Sequence, residues 1–308
     1  MRDSGGRAET VNLVPELPDV TIYLEALGRT IRGKTIEKIV LRSPFVLRSV
    51  EPDLFEAEGK AVHGFHRLGK RIVWELEADL YLVFHLMIAG RFHWKKPETK
   101  PRSKVDLIAF GFESGVLMMT EAGTKKRSSL HVVRGQEGLG VHERRGLEVL
   151  IADEASFRRV LLSDNHTLKR VLTDPQLFSG IGNAYSDEIL HAAKLSPVRW
   201  TSRLTNEEIS RLFRATQDTL QLWIQRLRDE TGDRFPEKVT AFRAEMAAHG
   251  RFGKACPTCG AQIQRIVYAA NETNYCPACQ TAGKILADRS LSRILRDDWP
   301  RRVEELEG

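Results

Sequence analysis

The stretch CPTCGAQIQRIVYAANETNYCPACQ, residues 256–280, contains all four cysteines of the chain. They form two Cys-x-x-Cys pairs, Cys256/Cys259 and Cys276/Cys279, with 16 residues between them. Each pair can set two thiolates on a tight turn, and the intervening segment is long enough for a hairpin that brings the pairs around one tetrahedral ion. Zinc suits four sulfur ligands and brings no redox chemistry to disturb them. On spacing alone, redox-active pairs or an iron–sulfur site are the alternatives. A module this small has no core of its own, so metal binding, worth roughly 10–16 kcal/mol in zinc-finger peptides, has to fold it. One structural Zn2+ per chain is expected.

The sequence upstream is cysteine-free and large enough for two domains. The 308 residues are 42% hydrophobic and 29% charged, a composition that buries a real core. Forty-seven Lys+Arg against 41 Asp+Glu leave +6, a balance that suits a polyanionic partner without requiring one. Too few cysteines are present for a disulfide-stapled scaffold. No apolar run reaches the ~18 residues of a membrane span, and the first residues lack the apolar centre of a secretory signal. No membrane partner and a cytoplasmic location are expected.

Patterning divides the chain. Across residues 35–130, short runs rich in Val, Ile, Phe and Trp alternate with turn signals, as in residues 36–41, 71–76, 81–86 and 105–110. Their period of two predicts strands. A helix is expected just before them, over residues 18–31, with Val20, Leu24, Leu27 and Ile31 on one face. Beyond residue 146 the spacing turns helical. Thr205-Asn206-Glu207-Glu208 has the form of a capping box and opens a helix burying Ile209, Leu212, Phe213, Thr216, Leu220, Ile224 and Leu227. The expected fold class is therefore α+β: a β-rich, sandwich-like N-terminal domain over residues 15–145, a helical domain over 146–250, a zinc finger over 251–280 and a helical tail over 281–308. Residues 1–14 stand as an extension.

Two further segments carry candidate function. In Gln176-Leu177-Phe178-Ser179-Gly180-Ile181-Gly182-Asn183-Ala184-Tyr185, the glycines Gly180 and Gly182 permit positive φ and Asn183 can cap a following helix. A glycine turn opening a helix offers free amides to a phosphate, although a plain interhelical loop fits the same residues. Pro15-Glu16-Leu17-Pro18-Asp19 is the other. Taken with the four-cysteine module and its closing Gln280, and in this order, the segments resemble the formamidopyrimidine-DNA glycosylase / endonuclease VIII (Fpg/Nei) family. Pro15–Asp19 resembles its amino-terminal motif, Gly180–Tyr185 its helix–two-turn–helix loop.

The resemblance implies a DNA repair glycosylase with AP-lyase activity, a monomer acting on double-stranded DNA with a damaged base or abasic site, in a bacterial-type, nucleoid-associated setting. It implies that Pro15 attacks C1′ of an extruded nucleoside as a free amine and that Glu16 shuttles protons. It also implies that Lys70, in the turn Leu68-Gly69-Lys70-Arg71, reaches the DNA beside the reacting sugar, while Asn183 grips phosphate. Three departures accompany it. Pro15 is internal, and an imide nitrogen has no lone pair to attack with. A start at Val14, from a GUG codon, followed by methionine removal would free it. Asn271 stands where the family has a phosphate-clamping arginine. Residues 120–127 hold Lys125 and Lys126 as phosphate contacts but no aromatic wedge. These departures leave the usual oxidised-purine substrate open. A non-catalytic lesion binder on the same scaffold, or an RNA-binding zinc protein, are the rival classes.

Overall fold

Trp74 packs against rings from two different sheets: its centroid lies 4.9 Å from Phe84 and 5.1 Å from Phe110. In the computed structural model, which describes residues 14–123, 125–237, 239, 243–268, 271–287 and 301–302, these sheets form an antiparallel sandwich. One runs β1–β6–β7–β5, from β1 (Lys38–Leu41), β5 (Gly90–Lys95), β6 (Asp106–Phe112) and β7 (Gly115–Glu121). The other runs β2–β3–β4–β8, from β2 (Val62–Leu68), β3 (Arg71–Leu76), β4 (Leu80–His85) and β8 (Ser129–Arg134). Alternation decides which residues turn inward. Ile72, Trp74 and Leu76 of β3, with Leu82 and Phe84 of β4, meet Phe92, Phe110, Leu117 and Met119 of the facing sheet in one core.

Helix α1 (Leu17–Ile31) belongs to two cores at once. Val20, Tyr23, Leu27 and Ile31 pack into the sandwich, whereas Leu17 and Ile22 enter the core of the helical half. That half contains α3 (Glu154–Leu161), α4 (Leu168–Thr173), α5 (Asn183–Ala192) and α6 (Asn206–Thr231), after a short α2 (Gly135–Gly140). The capping box is formed: Glu208 N–H donates to Thr205 Oγ1 at 3.3 Å and Thr205 N–H to Glu208 Oε2 at 2.9 Å. Leu212, Leu220 and Trp223 of α6 pack with Tyr185 and Ile189 of α5. Among the described residues no helix is long and apolar enough to cross a membrane.

The third unit is a hairpin, β9 (Gln264–Tyr268) and β10 (Asn271–Tyr275), followed by α7 (Pro277–Thr281). Of the segment expected as a helical tail, residues 282–287 and 301–302 are described; they are non-helical and joined by an antiparallel bridge, Lys284 to Arg302. Its other residues after 281, and residues 1–13 of the expected extension, lie outside the described residues.

Buried charge helps to dock the finger. Asp187 of α5, 1% exposed, pairs with Lys169 of α4 and accepts from His249 Nδ1 at 2.8 Å and from the Asn274 N–H of β10 at 3.1 Å. Its neighbour Glu188 accepts the backbone N–H groups of Ala247, Ala248 and His249 at 2.7–2.9 Å. Burial pushes the Asp187 carboxyl up, but Lys169 and then His249 outweigh it and hold the group below the usual carboxylate range. Its stabilising contribution is therefore complete above the ordinary aspartate pKa and lost as pH falls through the depressed one. Asp187→Asn leaves Lys169 a nearly buried unpaired charge, and a loss of about 3–5 kcal/mol is expected. Thermal unfolding at neutral pH checks it: an unchanged midpoint refutes the buried-pair account.

Candidate active site

The N-terminus of α5 is closed by a side chain 166 residues away in sequence. Glu16, 3% exposed, sends its carboxylate across from the start of α1. Gly182 N–H donates to Oε2 at 2.6 Å, Ala184 N–H to Oε1 at 2.9 Å and Tyr185 N–H to Oε2 at 3.2 Å. Both carboxylate oxygens are thus occupied by the orphan amides of a helix start, where the dipole favours negative charge. This corrects three sequence expectations. Gly182, not Asn183, is the N-cap residue. Most of the amides expected to meet phosphate are taken by Glu16. And Gly182 sits at φ −135°, so it serves by its size.

That size is demanded by crowding. A Cβ on Gly182 would lie 2.1 Å from Lys70 Nζ and 2.5 Å from Glu16 Oε1. Gly180 does take positive φ, +79°, and a Cβ there would also come within 2.8 Å of Arg67 Nη1 and Leu17 Cβ. Main chain joins the same place, with Leu17 N–H donating to Gly180 O at 2.9 Å. The β2–β3 turn is clamped from the other side: Arg67 donates to Ser179 Oγ at 3.0 Å and pairs with Glu148. Lys70, in that turn, is thereby delivered to the helix start.

Lys70 is half-buried, and among the described residues its ammonium has no hydrogen-bond partner. Burial lowers its pKa, opposed by Glu16 and Asp19 and assisted by Lys169. A lysine in this state gives up its proton more readily than a solvated one. Pro15 is buried directly ahead of Glu16. Asn183 lies on the helix start, and its Nδ2 donates to Glu272 O of β10 at 2.6 Å, which ties the finger hairpin to the site one residue from Asn271. Pro15, Glu16, Lys70, Gly180, Gly182 and Asn183 are therefore gathered at one point. Lys125 and Lys126 are on the β7–β8 connection instead, where Lys125 is exposed and Lys126 donates back to Glu121 O.

Sequence reading passed over three participants. Asp19 is fully buried and its Oδ2 accepts the Glu16 N–H at 2.9 Å; burial pushes its carboxyl up to about 6, against that hydrogen bond and Arg243. His85 ends β4, and its Nδ1 accepts the Met87 N–H at 3.1 Å, leaving the proton on Nε2. Burial, then Arg71 and Lys70, push it down to about 4, so it is a neutral donor at physiological pH. Asp187 is the third. Only Asp19 carried a signal, as the last residue of the quoted Pro15 motif.

The four cysteine sulfurs lie within 4.8 Å of one another, with Cys256–Cys279 at 4.0 Å and Cys259–Cys276 at 3.4 Å. Tetrahedral zinc at ~2.3 Å from each sulfur requires separations of about 3.8 Å, so the set fits one structural Zn2+. His191 of α5 stands 3.2 Å from Cys256 Sγ, and Gln280 accepts the Cys276 N–H while donating to Leu195 O. The metal centre is thus bolted to the helix that Glu16 caps.

Known proteins match along the chain. Residues 14–124 match the formamidopyrimidine-DNA glycosylase N-terminal domain, 149–234 its H2TH domain, and 253–282 the zinc finger found in FPG and IleRS. The formamidopyrimidine-DNA glycosylase of Thermus thermophilus is 32% identical over 282 residues, covering 88% of this chain and all of the relative. That of Heliobacterium modesticaldum is 32% identical, covering 87% and 100%. A formamidopyrimidine-DNA glycosylase-like protein of Mycobacterium tuberculosis, itself uncharacterized, is 38% identical over 125 residues, 41% of this chain and 77% of its own. Among solved structures, a Lactococcus lactis FPG mutant bound to Fapy-dG DNA superposes with TM-score 0.77 at 28% identity, covering 87% and 100%. The Lactococcus lactis Fpg with abasic-site DNA gives 0.75 at 28%, covering 86% and 99%.

Two outcomes are expected. Gly182→Ala, which has no backbone strain to confound it, should destabilise by about 1–3 kcal/mol through overpacking, whereas Gly28→Ala, in open space on α1, should stabilise slightly. Thermal melts of the pair check this, and equal midpoints refute the crowding. Native protein should contain one zinc per chain by elemental analysis, and Cys259→Ser should lose it with the sandwich still folded; a zinc-free native protein sinks the assignment.

Proposed function

The chain belongs to the formamidopyrimidine-DNA glycosylase family, and on that footing we propose that this DNA repair glycosylase also cuts the strand at the abasic site it creates. One observation carries the reading: Pro15, Glu16, Lys70 and Asn183, drawn from three parts of the chain, meet at the start of α5. The relatives' partner becomes this chain's proposed partner, duplex DNA with a damaged base or an abasic site. The working units are residues 15–145 with the nucleophile, 146–250 with the helix–two-turn–helix, and 251–280 as the finger, in a cytoplasmic monomer.

The chemistry requires Pro15 as a free secondary amine, which titrates near pH 8 when unperturbed. Its lone pair forms a bond to C1′ as the C1′–N bond breaks, and that electron pair leaves on the base, which takes up a solvent proton passed through Glu16. The new ammonium gives up its proton, relayed by Glu16 to O4′ as the C1′–O4′ bond opens, and an iminium results. The iminium draws electrons as water takes a C2′ proton, and the 3′ phosphate departs with the electron pair of the C3′–O bond. Around this, Lys70, the second N–H of the Asn183 amide and the neutral Nε2–H of His85 supply donors to flanking phosphates. Lys125, Lys126 and Asn271 extend the contact surface. Zinc supplies no step; Cys256, Cys259, Cys276 and Cys279 hold it to keep the hairpin folded. A chain in which Pro15 stays acylated keeps the surface and loses the nucleophile, which makes it a lesion binder.

A form beginning at Pro15 is expected to give a borohydride-trapped adduct with abasic-site duplex, and the 308-residue chain is not. Glu16→Gln should slow base excision by about 10²–10⁴-fold and affect strand cutting at a preformed abasic site less. With Asn271 replacing a cationic clamp, 8-oxoguanine should be a poorer substrate than ring-opened purines, and Asn271→Arg should narrow the gap. Trapping by the longer chain alone excludes Pro15 and directs attention to Lys70.

A further inference from the structure

Beyond Lys70, the outward face of the β2–β3–β4–β8 sheet ends in a cluster of cations and imidazoles. Alternation turns Arg71 of β3, His85 of β4 and His131 of β8 away from the core that Ile72, Phe84 and Val132 enter. The antiparallel register sets His85 opposite Ser129 and Val83 opposite His131. The chain after α2 returns to this end of the sheet. There the ring of His142 lies 4.5 Å from that of His131, and Arg71 Nη1 donates to His142 O at 3.4 Å. Arg48 runs beside β8, its N–H donating to Leu130 O at 2.8 Å, and Arg144 follows closely on His142. Among the described residues no carboxylate pairs with Arg48, Arg71 or Arg144, and neither ring of the His131–His142 pair has a hydrogen-bond partner. The acidic groups nearby are engaged elsewhere or exposed: Glu75 is bonded to His66 and Asp79 to Tyr81, while Glu137 and Glu143 face solvent.

Like charges gathered without a counter-charge repel one another, and half-buried imidazoles among them stay neutral. Burial, then His142, Arg71 and Arg48, push His131 down to about 4; burial, then Arg71 and Arg144, lower His142. What the cluster lacks is an anion, which guanidinium forks and imidazole N–H groups bind through charge-assisted hydrogen bonds. We infer that Arg71, His131 and His142, flanked by Arg48 and Arg144, form an oxyanion site for a backbone phosphodiester of the duplex, separate from the phosphates met by Lys70, His85 and Asn183. The inference rests on duplex DNA being the partner and adds a proton to the binding step. A phosphodiester beside the pair favours imidazolium, so a ring that becomes charged takes a proton from solvent as DNA binds. Affinity then rises as pH falls from the raised pKa of the bound rings toward the lower one of the free protein.

The test is binding of the full 308-residue chain to an intact duplex and to one containing a tetrahydrofuran abasic analogue, over about pH 5 to 8 and between about 50 and 200 mM salt. Calorimetry in buffers of different ionisation enthalpy should show net proton uptake on binding. The double variant His131→Gln, His142→Gln should reduce that uptake and bind about tenfold more weakly near pH 6 but little differently near pH 8. Asp19 and His85 are present in both proteins, so the difference isolates the pair. Arg144→Gln, at an exposed position, should weaken both duplexes alike and lower the salt slope by about one. Unchanged uptake in the double variant, an affinity loss equal at both pH values, or an unchanged salt slope in Arg144→Gln overturns the inference. Imidazole proton resonances of His131 and His142 distinguish the source of the phosphate: shifts on adding duplex support the site, and shifts with inorganic phosphate alone overturn its assignment to DNA. Wild-type protein that takes up protons yet does not prefer the tetrahydrofuran duplex to intact DNA retains this site and loses the glycosylase reading.

Discussion

One carboxylate on three amides organises this protein. Glu16 stands at the head of α1, yet its oxygens accept the amides at the start of α5. A helix begins with amides that lack partners and with the positive end of its dipole. Most helices solve this locally, with a serine or aspartate at the cap. Here the cap comes from another domain, so the helix is completed only when the β sandwich and the helical half are correctly joined. Joining the two halves and assembling the candidate site then go together. The arrangement also fixes Gly182, because the carboxylate and Lys70 take the space a side chain would need.

The other polar groups of α5 continue the same scheme. Asp187 and Glu188 face away from Glu16 toward the finger, and each receives several donors from elements distant in sequence. Buried carboxylates are costly unless fully hydrogen-bonded, and these two are. A small metal-folded module has little apolar surface with which to dock. Directional bonds to buried charges set its angle instead, which is how Asn183 comes to lie against Glu272 of the hairpin.

Electrostatics around the site separate groups of the same kind. Burial lowers the unpartnered Lys70 amine and leaves His85 neutral, whereas the paired carboxyl of Asp187 stays ionised. Asp19, buried with one oxygen free, is raised to about 6. Burial and partners, more than residue type, thus set the direction in which each group is pushed.

The metal module, the sandwich strands, the α6 capping box and the long helices were legible in the sequence, because each depends on residues close together along the chain. Cys256, Cys259, Cys276 and Cys279 declare their ion by spacing, and β3 appears over the residues its alternation predicts. Pro15, Glu16, Lys70 and Asn183 were named from their resemblance to family motifs. Why they belong together was not readable, nor was the role of Gly182, since its constraint is the volume occupied by Glu16 and Lys70. Asp187 and His85 were missed for the same reason. Local patterns report periodicity and turn chemistry, whereas burial, hydrogen-bond partners and pKa arise from groups that become neighbours only once the chain has folded.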